Sequence, residues 1–186
     1  MTTEQTDDLA RHYLEEMGRR FASVKRLADD AAAQLDDEEF FRAPGPTSNS
    51  VAVVFKHVAG NLRSRWTDFL TTDGEKPDRD RETEFDASGE DRAAVLDRWE
   101  RGWSILSETL DGLGHEDLLR TVTIRGEPHT VVEAIGRQLS HYAYHVGQVV
   151  FLAKLLKSGD WRYLSIPPGG SGRFDAEPAA KREGRG

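Results

Sequence analysis

The chain has 186 residues, enough for one domain with a full hydrophobic core, and it carries a net charge of −8 with only 37% hydrophobic residues. That charge balance disfavours nucleic acid and anionic membrane surfaces as partners. The absence of cysteine excludes disulfides, thiolate metal sites, iron–sulfur clusters and a cysteine nucleophile, so any thiol chemistry would draw its thiol from outside the chain.

Leu9, Tyr13, Met17, Phe21, Val24, Ala28, Ala31 and Leu35 recur at steps of three and four, which predicts an amphipathic first helix over about residues 6–37. The segment Arg42 to Asn49, with two prolines and several capping residues, separates it from a second helix over about 49–71. The apolar arc of that helix is Val51, Phe55, Val58, Leu62, Trp66 and Phe69. The stretch from Thr71 to Ser88 is polar, charge-rich and broken by Gly74 and Pro77, and is expected as a long surface loop. Ser88 with Asp91 three residues on marks the start of a third helix over about 89–111, with Val95, Trp99, Trp103, Leu106 and Leu110 on its apolar side.

Arg120 to Ile124 is rich in β-branched residues and is followed by Arg125-Gly126-Glu127-Pro128, which predicts a short hairpin or extended loop. Thr130 to Glu133 has the form of a capping box, and the fourth long helix runs from there to about Lys157. The predicted fold is therefore all-α, an up-and-down four-helix bundle with a short β-like hairpin before the last long helix. It forms a single domain over residues 1–166, and the polar residues 167–186 are expected as a flexible tail. The N-terminus is acidic and polar, and no run of about 18 apolar residues occurs, so a cytoplasmic location is expected.

His141 and His145 sit four residues apart on the fourth helix. A helical path places them about 40° apart around the axis and roughly 6 Å apart along it, close enough to converge on one metal ion. His57 borders the apolar arc of the second helix as those two border theirs. If the two helices are neighbours, three imidazoles face one crevice, a donor set that leaves coordination positions open for a ligand. Asn61, Ser64, Gln138 and Gln148 lie on the same faces and are candidates for orienting the ligands or lining a substrate rim. The simpler readings stand beside these. A histidine on an amphipathic helix is commonly a hydrogen-bonded polar residue, and His12, His115 and His129 are read as surface or loop residues. The four tryptophans are read as core or interface, and runs such as Asp36-Asp37-Glu38-Glu39 as solvated. Only Asp68 offers a nearby carboxylate in sequence, nearly three turns from His57, and no general base is assigned.

Asn49 to Asn61 on the second helix, with His141 to Gln148 on the fourth, resembles the DinB-like superfamily of metal-binding four-helix bundles, the damage-inducible YfiT-type group. The stretch Arg63 to Pro77 resembles a branch of it catalogued as a domain of unknown function. The resemblance covers about residues 8–160, and the superfamily's histidine pattern falls on His57, His141 and His145. It implies one divalent ion, zinc or nickel, and a small-molecule enzyme of the thiol-dependent S-transferase type using an external low-molecular-weight thiol. A metal-dependent hydrolase and a non-catalytic, metal-stabilised stress-response or binding module are the alternatives. A homodimer is expected, because many relatives in that group are dimers.

Overall fold

The computed structural model describes residues 3–170, so most of the tail expected from residue 167 lies outside the described residues. Helices α1 (Thr3–Ala32), α2 (Asp37–Phe41), α3 (Val51–Trp66), α4 (Arg92–Asp111) and α5 (Val131–Lys157) build the molecule, with strands β1 (Thr121–Ile124) and β2 (Glu127–Thr130) paired antiparallel ahead of α5. This is the all-helical architecture with a small hairpin that the patterning predicts. No helix among the described residues is long and apolar enough to cross a membrane.

Local capping sets the boundaries. The Thr130 hydroxyl accepts from the Glu133 amide while the Glu133 carboxylate accepts from the Thr130 amide, and α5 begins there as expected. Ser50 caps α3 from one side only, its hydroxyl accepting from the Val53 amide. The far end of α3 comes five residues earlier than the periodicity suggests. Asp68 takes φ 48°, a left-handed conformation that stops the helix, and Phe69 still reaches the core from the following turn. The first helix also stops early, at Ala32, because Asp36 and Glu39 form a second capping box and start the short α2. The acidic run is thus a helix start, and it carries the fully buried Phe40. Asp91, rather than Ser88, caps α4.

Residue pairings give the helix directions. Tyr13 bonds the Val132 carbonyl and Gln34 bonds the Arg162 carbonyl, so α1 and α5 run parallel. Phe55 stacks on Trp99, and Thr109 donates to the Trp66 carbonyl, so α3 and α4 also run parallel. The pairs oppose each other, as Trp99 with Asp29, Phe21 with Trp103 and Asn61 with Tyr142 require. The second and third long helices therefore run the same way instead of alternating as in the expected up-and-down order, because the long connection between α3 and α4 carries the chain back to the starting end.

The core is aromatic at its centre. The Phe21 ring lies 5.9 Å from Trp66, 6.4 Å from Trp103 and 6.0 Å from Tyr142. Tyr142 is fully buried, and its hydroxyl accepts from Trp66 Nε1 at 3.0 Å and donates to Asn61 Oδ1 at 3.1 Å. Two hydrogen bonds thereby tie α5 to two turns of α3 at one height. Tyr142→Phe strands a buried donor and a buried acceptor, and should destabilise the protein by about 1–3 kcal/mol, read as a lower urea midpoint at unchanged slope.

Candidate metal centre

The antiparallel apposition of α3 and α5 brings His57 opposite His141 and His145. One ring nitrogen from each lies within 4.8 Å of the other two, and the ring centroids are separated by 5.6 Å (57 to 141), 4.8 Å (57 to 145) and 4.6 Å (141 to 145). His57 is buried and the other two are half-buried.

Each imidazole is prepared for ligation differently. His57 Nδ1 donates to Glu84 Oε2 at 2.9 Å. An ionised carboxylate only accepts, so the proton resides on Nδ1 and the Nε2 lone pair is left for a metal. His145 Nδ1 donates to Gln148 Oε1 at 3.1 Å, with the same consequence. His141 Nε2 is buried and has no hydrogen-bond partner among the described residues. Burial, and then the neighbouring His145 and His57, push the His141 pKa down from 6.5 to about 3. Burial also lowers that of His145. These two imidazoles are neutral at physiological pH, the form that coordinates. An orphaned ring nitrogen, two fixed tautomers and a donor set of three imidazoles fit a transition-metal ion.

Glu84 was invisible in the sequence pattern because it comes from the supposed surface loop. A 3-10 turn, Glu82–Phe85, packs on α3 and delivers it. Its carboxylate is buried and receives Arg79 Nε at 2.8 Å and Arg79 Nη2 at 2.9 Å as well as His57. Burial alone would raise the Glu84 carboxyl, but the bonds to His57 and Arg79 outweigh it and hold the group below its ordinary range. Room for the side chain exists because residue 60 is glycine: a Cβ there would lie 2.2 Å from Glu84 Oε1. An unexplained glycine inside α3, three residues after His57, was the one sequence signal for something lying against the helix at this point. The next residue of the turn, Phe85, stacks on the His57 ring at 5.0 Å, and the Arg81 guanidinium lies 5.2 Å above Phe85.

The histidines open onto a cleft of about 650 Å³. Of the other residues singled out by sequence, Asn61 and Gln148 line it, while Ser64 and Gln138 do not. Ser64 instead donates to the Gly74 carbonyl and accepts from the Lys76 amide, pinning the loop after α3. Gln138 is 1% exposed, and neither its amide oxygen nor its nitrogen has a partner among the described residues. His12 is exposed, His115 pairs with Asp7 at 2.7 Å, and His129 lies on β2 away from the cluster.

The fold and site together define a helical bundle with a candidate three-histidine metal centre between α3 and α5. The chain belongs to the family described as protein of unknown function (DUF1572), whose model matches residues 8–170. A similar solved structure is that of a conserved protein from Enterococcus faecalis. It is 19% identical, with a TM-score of 0.50, over 84% of this chain and 98% of that one, a likeness of fold. No curated protein matches the chain.

Glu84→Gln removes the carboxylate that fixes the His57 tautomer, and Gly60→Ala pushes that carboxylate away. Each should weaken metal affinity by roughly 10- to 100-fold, measured by competition with a chromogenic chelator. The metal-free protein should also lose stability as pH falls. His141 stays neutral in the folded state down to about 3, whereas the unfolded chain takes up that proton near its ordinary pKa, so the stability present above about 6.5 is lost progressively below it. Melting temperatures of the chelated protein at pH 7 and pH 5 measure this, and His141→Gln should show a smaller fall.

Proposed function

We propose that the protein is a metal-dependent small-molecule enzyme, in which His57, His141 and His145 hold one divalent ion, zinc or nickel, and an external low-molecular-weight thiol is the nucleophile in an S-transfer reaction. The observation that carries this reading is the cluster itself, three imidazoles converging at the floor of an open cleft. A bound divalent ion supplies Lewis acidity, lowering the pKa of a coordinated thiol toward neutrality.

The residues around the cluster favour a thiol over water. Both oxygens of Glu84 are engaged by Arg79 and His57, and no carboxylate among the described residues lines the cleft, so none of those side chains is free to act as a carboxylate base there. A free thiol needs its pKa lowered by only about two units to ionise at pH 7, whereas water starts near 15.7. The cysteine-free chain offers no competing thiol of its own. The resemblance of the His57 and His141 to His145 segments to the DinB-like superfamily supports the same assignment, and a cytoplasmic setting would supply such thiols. A homodimer belongs to this reading. Leu9 on α1 and Phe151 on α5, 59% and 67% exposed, are surfaces such a contact would cover.

Protein purified without a histidine tag should contain about one divalent ion per chain by elemental analysis, and His145→Ala should lose most of it. Chelation should abolish thiol-dependent conjugation of an electrophile such as an epoxide or aryl halide, and restoring the ion should recover it. A large drop in melting temperature on chelation with no change in thiol or electrophile binding would instead assign the ion a structural role. Failure to take up metal under any loading condition would defeat the reading.

A further inference from the structure

The cleft has a charge pattern opposite to that of the protein. The chain carries 33 acidic and 25 basic residues apart from histidine, yet among the described residues the cleft is lined by Arg65, Arg79, Arg81, Arg125 and Arg137 and by no aspartate or glutamate. The two carboxylates nearest to these arginines stand behind the wall. Glu75 accepts from Arg65 Nη2 and Arg125 Nε at 2.9 Å each and from Arg79 Nη1 at 3.4 Å, and Glu84 accepts from Arg79. Two negative charges thus serve three guanidiniums. Arg81 and Arg137 make no hydrogen bond or ion pair among the described residues, and Arg81 rests only on the Phe85 ring. The cleft therefore has an excess of three positive charges before any metal is counted. Arg65, whose side chain is 3% exposed, also keeps its Nε without a partner among the described residues.

Guanidiniums without carboxylate partners at the mouth of a cleft make its local potential positive and leave donors free for an anion, and the planar fork of arginine matches carboxylate and phosphate oxygens. We propose that the ligand of this site is a small oxyanion, a molecule bearing a carboxylate or phosphate group that Arg137 and Arg81 bind at the rim. The proposal rests on the reading of the cleft as the place where the metal and its substrate meet, and it adds the substrate class. Geometry limits the ligand's size. Arg137 precedes His141 by four residues on α5, a rise of roughly 6 Å along the axis, so the anionic group lies a few bonds from the atom presented to the histidines. A cleft of about 650 Å³ accommodates such a molecule with its electrophilic partner.

The test is equilibrium binding to the full-length protein, metal-loaded and metal-free. The probes are inorganic phosphate, succinate and the uncharged isostere succinamide, with metal content recorded for every sample. Phosphate or succinate should bind with an affinity that falls as salt rises, and succinamide should not. A preference between the two oxyanions identifies which group the natural ligand carries. Arg137→Gln and Arg81→Gln should each weaken oxyanion binding by about tenfold while leaving metal stoichiometry unchanged. Both side chains are exposed, and an unchanged melting temperature checks that the variants fold. Succinamide binding as tightly as succinate, or oxyanion binding untouched in both variants, would overturn the proposal. Absence of metal would defeat the enzymatic reading alone, because the metal-free arm still decides whether the arginines recognise an anion.

Discussion

The register between α3 and α5 governs everything at the site, and one buried phenol holds it. Tyr142 receives a hydrogen bond from Trp66 and gives one to Asn61, while its ring packs against Phe21 and Trp103. A buried hydroxyl that must both accept and donate has few satisfactory positions, so it selects one axial alignment where apolar contacts alone would tolerate several. His141 is the residue before Tyr142, and His57 lies one turn from Asn61. The alignment that satisfies the phenol is also the alignment that gathers the three imidazoles.

Around that alignment the chain builds a continuous polar wall. Asp73 accepts the backbone amides of Glu75, Arg125 and Gly126, which docks the β1–β2 turn onto the loop after α3. Burial by itself would raise the Asp73 carboxyl, but these amides pull it down to about 2. The docked turn carries Arg125 to Glu75, Glu75 bonds Arg65 and Arg79, Arg79 grips Glu84, and Glu84 holds His57. Each carboxylate accepts from two or more donors, and for Glu84, the one of the three that is buried, this is the condition under which its charge is tolerated. The tautomer of His57 in the candidate metal centre is in this way connected to the placement of a hairpin that contributes none of the three histidines.

Much of this is legible in the sequence, and the features that are not share a physical origin. The hairpin, the Thr130 capping box and the apolar faces of the long helices depend on residues within one or two turns of each other, and were readable from spacing. The early ends of the first two long helices were not, because periodicity continued past the residues that break them: Phe69 serves the core from a turn, and Asp36 opens a new helix. Ser64 shares the face of His57 on the wheel, yet its hydroxyl is taken by the loop that folds back over it. Glu84 lay in a segment whose polarity read as solvent exposure. Its charge is buried only because Arg79 and His57 meet it there, and neither partner is adjacent in sequence.

By itself, the sequence determined a helical bundle with a small hairpin, a chain without thiol chemistry of its own, and three histidines at the edges of two apolar stripes. Those properties follow from composition and from the 3.6-residue period, which are local. Tertiary structure alone decided that the histidines meet, which ring nitrogens are free, that a loop carboxylate fixes one of them, and that five arginines from separate segments share one wall. These are relations between distant positions, created when burial brings α3, α5, the hairpin and the loop together.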